Sequence, residues 1–425
     1  MKGLHSRPAA ALFAGMALTL GTLGALGTTG PALAADAGST YVPLSPARIM
    51  DTRDGTGRAG VIGPIPGGGA VELTVVGVGG VPASNVEAVA LNVTATNGTA
   101  LDSYLTVFPT GTNRPLASNL NFNAGKTVPN LVMARVGSGG KVTIYNNSGT
   151  ADVVADVQGW YASPVDPVGS RYVPLEPARL LDTRVGVGTS SGSVPAGGAV
   201  ELVVAGRGGV PQAGVTAVVL NVTATGASGP DTFVTVFPSG TQRPLASNLN
   251  VIQGQTVPNA VVARLNNGKV TLYNNAGSVH LVADVQGWYS VPTEPLTGRS
   301  SYNPVAPVRA LDTRDGTGTN GVSGRLGAGG IIQLQIAGTN GIPATGVSAV
   351  VLNVTATNPT GPDSFLTVYP APSPRPLASN LNFRVDQTVA NLVVARVGPN
   401  GAVTIYNNLG ATHVVADVQG WFRTL

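Results

Sequence analysis

Four blocks of sequence occur three times each, and their spacing restricts this chain more than any other feature. Asp51-Thr52-Arg53 returns at Asp182 and Asp312, and Asn92-Val93-Thr94-Ala95-Thr96 at Asn221 and Asn353. Arg114-Pro115-Leu116-Ala117-Ser118-Asn119-Leu120-Asn121 returns at Arg243 and Arg375, and Asp156-Val157-Gln158-Gly159-Trp160 at Asp284 and Asp417. A period near 130 residues is too long for a solenoid unit or a propeller blade and matches a domain with its own core. Three modules are expected, at 40–162, 170–290 and 300–423. Short Pro-containing connectors join them, around Ser163–Pro167 and Val291–Pro295, and act as semi-stiff spacers or let the modules pack together.

Within a module, short runs alternate apolar and polar residues between clusters of Gly, Pro and Asn, which is a strand-and-turn pattern. Gly (58) and Pro (32) make up about a fifth of the 425 residues, charged residues 10%, and Cys is absent. That composition excludes a coiled coil, a disulfide scaffold and cysteine-ligated metal, while 43% hydrophobic content excludes wholesale disorder. In the first copy the expected strands are Arg48–Thr52, Ala70–Val76, Ala88–Thr96, Ser103–Phe108, Asn119–Phe122, Leu131–Val136, Lys141–Tyr145 and Asp152–Trp160. Eight strands in about 120 residues suit an all-β fold of three tandem antiparallel β-sandwiches, jelly-roll-like.

Residues 1–34 read as a cleaved signal peptide. Lys2 and Arg7 precede an Ala/Leu/Gly-rich run from Ala9 to Leu26, and Ala32-Leu33-Ala34 supplies a small-x-small cleavage site. The expectation is an extracellular protein, in the medium or held at the cell envelope, with no membrane span after cleavage. Net charge is only +4 over the whole chain, Arg and Lys form no runs, and nucleic acid is not an expected partner.

Counting parity along the strands divides their side chains between two faces. Leu91, Val93, Ala95, Leu105, Val107, Val142, Ile144, Val153, Ala155 and Val157 form an apolar set. Asn92, Thr94, Thr96, Tyr104, Thr106, Phe108, Thr143, Tyr145, Asp156, Gln158 and Trp160 form an amphipathic one. Rings among amides, hydroxyls and carboxylates fit sugar recognition, the rings covering C–H faces and the polar groups bonding hydroxyls. The candidate ligand-binding residues are therefore Trp160, Tyr104, Tyr145 and Gln158, with Trp288, Phe233, Tyr273 and Gln286, and with Trp421, Phe365, Tyr406 and Gln419. The competing reading is that these aromatics close the sandwich or pack against the next module.

Charges recur as strictly as rings do. Asp51, Arg53, Asp102, Arg114, Arg135 and Asp156 have counterparts in both other copies, as does Arg48, and are expected to pair with one another as structural ion pairs. No catalytic residue is expected. There is no Cys nucleophile, and beyond the signal only His280 and His413 remain, at the position where the first copy has Asp152. A glycosidase pair from Asp51, Asp102 and Asp156 would compete with the neighbouring Arg residues. Asp51–Gly57 does not have the spacing of a calcium-binding EF-hand loop, so no metal site and no cofactor are expected.

The Leu-Asp-Thr-Arg of Leu181–Arg184 and Leu311–Arg314, Leu91–Thr96, Ser118–Phe122 and Val154–Trp160 resemble a tandem β-rich module of secreted actinobacterial proteins. The likeness covers essentially all the chain after the signal and implies an extracellular accessory module, without a catalytic residue or an assigned function. The expected function is a secreted, non-enzymatic, multivalent binding or adhesion protein that recognises glycan or cell-envelope polymer. The alternatives are a structural surface protein whose repeats pack together as a pseudo-threefold trimer, and, third, a glycoside hydrolase.

Overall fold

In the computed structural model, residues 38–229, 231–293 and 297–425 are described. The expected signal peptide and part of the Val291–Pro295 connector lie outside them. Each repeat folds into two facing antiparallel sheets. In the first, one sheet runs Thr40–Asp51, Thr150–Ala162, Val86–Thr96, Val128–Arg135, and the other Ala70–Thr74, Lys141–Asn146, Ser103–Pro109, Leu120–Phe122; a ninth, two-residue strand, Ile65–Pro66, pairs with Thr150–Ala151 outside this order. With these eight strands counted along the chain, the orders are one-eight-three-six and two-seven-four-five, the double Greek key of a jelly roll. Both other repeats have the same order. The fold is all-β, and the 3₁₀ turn Ser138–Gly140 is the one helical element among the described residues.

Each sandwich has a separate core. Leu91, Val93, Val107, Ile144, Val153 and Val157 fill the first, and equivalent residues fill the others. A further core belongs to all three repeats together. It contains Tyr41, Ala88, Ala90, Leu131, Met133 and Tyr161 with their counterparts from the second and third repeats. The polar-aromatic face of the first sheet is thus covered by the neighbouring repeats, and Asn92, Asp156 and Gln158 are buried with it. Asp36–Leu425 forms one compact unit.

Cyclic contacts close this unit. Tyr41 bridges Ser170, Tyr172 bridges Ser300, and Tyr302 bridges Ser39, so the first strand of each repeat pairs at its start with the next. The first strand begins at Thr40, eight residues before the expected Arg48, because Thr40–Pro43 pairs with Gly159–Ala162 of its own repeat. Six rings form an unbroken circuit: Tyr41, Tyr161, Tyr302, Phe422, Tyr172, Tyr289 and back to Tyr41, with centroids 4.3–5.2 Å apart. All six are buried, and tilted pairs at such distances add about 0.5–1.5 kcal/mol each beyond their burial.

The edge strands Val128–Arg135, Val257–Arg264 and Val389–Arg396 approach each other around the same pseudo-threefold centre. Buried edge N–H groups require acceptors, and adjacent repeats provide them. The N–H groups of Leu131, Ala260 and Leu392 donate to the Oδ1 atoms of Asn259, Asn391 and Asn130 at 3.1 Å each. Those of Met133, Val262 and Val394 donate to the Oε1 atoms of Gln419, Gln158 and Gln286 at 3.1, 3.1 and 3.4 Å.

Candidate functional site

One irregularity decides where the expected ligand residues lie. Gly159 pairs with Ala90 while Val157 pairs with Leu91, so Gln158 is an extra residue in its strand. A β-bulge of this kind reverses the alternation beyond it. Trp160 consequently lies opposite Val89 and enters the first sandwich core, and Tyr161 takes the shared face. Trp288 and Trp421 follow the same rule, opposite Val218 and Val350. The three indoles are 7%, 8% and 7% exposed, which corrects the expectation that they form a ligand platform. Gln158, Gln286 and Gln419 are buried hydrogen-bond acceptors between repeats and are removed from the ligand set for that reason.

Gly159 is required at this bulge. A Cβ there would come 2.2 Å from the hydroxyl oxygen of Tyr41, whose ring crosses the strand so that its O–H donates to the Gln158 carbonyl at 3.0 Å. Gly287 and Gly420 receive Tyr172 and Tyr302 in the same way.

The other expected ligand residues are on the outer sheets and are half-buried: Tyr104 and Tyr145, Phe233 and Tyr273, Phe365 and Tyr406. The guanidinium groups of Arg114, Arg243 and Arg375 lie over the rings of Tyr145, Tyr273 and Tyr406, 4.1, 4.2 and 4.2 Å from the centroids. Arg114 also donates to the Tyr104 hydroxyl at 3.4 Å. Thr106, Thr235 and Thr367 hold the loops that carry these arginines by donating to the carbonyls of Ala117, Ala246 and Ala378. Each outer face therefore presents an arginine over one ring, with a second ring 6.5 and 6.4 Å away in the second and third repeats and the Tyr104 hydroxyl bonded to Arg114 in the first.

The ion pairs are partly as expected. Asp51 receives Nε and Nη2 of Arg53 at 2.8 and 2.6 Å, and Arg48 connects Asp51 to Asp156 at 3.2 and 2.9 Å. Burial opposes ionisation of Asp51, but Arg53 and Arg48 outweigh it and hold its carboxyl below the usual range. Burial dominates at Asp156 and raises it. Arg135 pairs with Glu87 at 3.3 Å. Arg114 forms no ion pair with Asp102 among the described residues, because its guanidinium lies over the Tyr145 ring and donates to the Tyr104 hydroxyl.

The third network differs in detail. Arg309 Nη2 donates to the Leu116 carbonyl of the first repeat, so Asp417 keeps the Nε bond and lacks the second contact made to Asp156 and Asp284. With Oδ2 of Asp417 buried and unbonded, burial outweighs the arginine and raises its pKa to about 6.

A cavity of about 470 Å³, absent from the expectations, opens where the repeats meet. Its walls take equivalent residues from all three: Val128, Val257 and Val389, with Asn121, Asn250 and Asn382. No periodicity in the sequence could have shown it, because its wall combines strand ends separated by about 130 residues.

No family model matches the chain, and no curated protein matches it. Solved structures do. One is reported as "The Triple Jelly Roll Fold and Turret Assembly in an Archaeal Virus", at 8% identity, 84% coverage of each chain and a TM-score of 0.18. Another is from Sulfolobus Turreted Icosahedral Virus, at 8% identity, 84% of this chain and 85% of that one, TM-score 0.19. A third is the N-terminal CBM22-1-CBM22-2 tandem domain of Paenibacillus barcinonensis Xyn10C, at 12% identity, 59% of this chain and 99% of that one, TM-score 0.18.

Proposed function

We propose that this chain is a secreted, non-enzymatic, multivalent binding protein for glycan or cell-envelope polymer, with its three repeats fused into one rigid head. The observation that carries the reading is the triplicate arginine-on-tyrosine pair. Tyr145, Tyr273 and Tyr406 stay half-exposed beneath Arg114, Arg243 and Arg375, whereas the indoles and glutamines first grouped with them are buried. A stacked guanidinium keeps N–H edges for hydroxyl or acidic groups of a polymer, and the adjacent Tyr104, Phe233 or Phe365 ring offers a surface to C–H groups. Three such faces on a fixed frame raise avidity by effective concentration. The recurrent carboxylates Asp51 and Asp156 are engaged by arginines, which supports a non-enzymatic reading.

Retention on insoluble envelope polysaccharides tests this. Singly, Tyr145→Ala, Tyr273→Ala and Tyr406→Ala should weaken retention in steps, and the triple variant should abolish it while still unfolding in one cooperative transition at a lower melting temperature. A folded triple variant retained like the parent would refute the proposal.

A second reading has its own observation. The shared aromatic core makes the repeats one packed body, which favours a structural surface protein if the outer faces retain no polymer.

A further inference from the structure

We infer that the cavity at the pseudo-threefold centre is a binding site for one neutral oligosaccharide segment per chain. The inference shares its ligand class with the reading above but uses a different site. Its volume, about 470 Å³, lies in the roughly 300–1,000 Å³ range of small-molecule sites. Next to the wall residues Pro129, Pro258 and Ala390, three separate amide pairs join the repeats: Asn130 donates to Asn353 Oδ1, Asn259 to Asn92 and Asn391 to Asn221, at 2.8–2.9 Å. Asn130, Asn259 and Asn391 are fully buried, so these pairs fix the wall strands of the three repeats against one another.

Chemistry selects the occupant. Val128, Val257 and Val389, with Pro129 and Pro258, supply apolar wall of the kind that C–H faces of a sugar ring require. Between them stand carboxamides, Asn121, Asn250, Asn382, Gln255 and Gln387. A carboxamide both donates and accepts, as a hydroxyl does, and so suits a ligand covered in hydroxyls. Ser118 and Ser379 donate to Oδ1 of Asn121 and Asn382, which leaves each Nδ2 available to donate, whereas Asn250 donates to Ser247 and keeps its Oδ1 as acceptor.

Charge around the cavity cancels. Arg384 pairs with Asp363 at 3.1 Å and reaches the Gly254 carbonyl across the boundary between repeats, while Lys126 and Asp231 contribute one charge of each sign. A wall without net charge has no preference for an anionic ligand over a neutral one of the same shape. The walls also break the threefold pattern, with Asn123, Ile252 and Arg384 at equivalent positions, so a ligand enters in one orientation and the stoichiometry is one.

Titration calorimetry of the signal-free chain against neutral gluco-, xylo-, manno- and galacto-oligosaccharides of two to six units tests the site, with a hexuronate oligomer as the anionic control. At least one neutral series should saturate at one ligand per chain. Gln255→Trp and Gln387→Trp fill the cavity from half-buried positions outside the strands and should each weaken that binding at least about tenfold with unchanged thermal unfolding. Asn250→Ala should weaken it about two- to tenfold, the loss of one hydrogen bond. The Tyr145, Tyr273 and Tyr406 triple variant should keep this binding, so failure of the outer faces and failure of the cavity are separable. No saturation at millimolar concentration by any neutral series, binding of the hexuronate alone, binding indifferent to both tryptophans, or three ligands per chain lost in the tyrosine triple variant would each overturn it.

Discussion

Replacing Tyr161 by Phe removes one hydroxyl from the centre of the shared core and leaves another without its partner. The Tyr161 and Tyr289 hydroxyls are 2.7 Å apart, and both side chains are fully or almost fully buried. Tyr161 has a second, weaker contact to Met133 Sδ at 3.4 Å, whereas the bond to Tyr161 is the one the Tyr289 hydroxyl makes among the described residues. An orphaned buried hydroxyl costs about 1–3 kcal/mol. Tyr161→Phe should therefore destabilise by about 2 kcal/mol, and Tyr289→Phe by about 1 kcal/mol, because the thioether still takes the surviving O–H. The double variant leaves no orphan and should lie within about 1 kcal/mol of the parent, since removing both partners together is nearly neutral. The third repeat already carries the apolar ring at this position, Phe422, packed 5.1 Å from Tyr302 and 4.3 Å from Tyr172. Denaturant unfolding of all four proteins measures the coupling, expected at about 2 kcal/mol. Additive single and double effects would show that the two hydroxyls do not depend on each other, and the reasoning from the shared core would fail.

Trp160→Ala should cost about 3–5 kcal/mol in unfolding free energy, as a buried large ring does, without a specific loss of polymer retention in the protein that remains folded. Gln419→Leu strands the Met133 N–H at the boundary between repeats and should cost about 1–3 kcal/mol, measured by the same unfolding curves. Gly159→Ala forces a methyl group against the Tyr41 ring and should cost about 1–3 kcal/mol, with a lowered melting temperature. The Asp417 carboxyl should titrate near pH 6 by carbon NMR. Its folded pKa exceeds the unfolded 3.8, so the folded state holds the proton more tightly, and this group's contribution is greatest below pH 4 and declines as pH rises through 6. Asp51 and Asp312 act in the opposite sense, their stabilisation being present above the unfolded pKa and lost on acidification. Asp417→Asn should flatten the decline between pH 4 and 6, and an unchanged pH profile would count against the burial argument.

The strand pattern, the triplicate blocks and the turn glycines made the jelly-roll sandwiches legible in sequence, because each strand alternates against its own core and that alternation is local. Asp51 with Arg53 was legible too, since the pair is separated by one residue and its geometry is set by one turn. Of the ligand residues, only those on the outer sheets stay half-exposed, where no bulge intervenes before the ring.

The sequence by itself determined the repeat, the strand count and which side chains could fill a sandwich. Tertiary structure alone decided that the amphipathic face is interior, that one inserted residue at Gln158 turns Trp160 inward and Tyr161 toward the other repeats, and that a cavity lies where they meet. The physical reason is range: alternation depends on adjacent residues, whereas burial of the second face depends on contacts between residues about 130 or 260 apart, which no local pattern encodes.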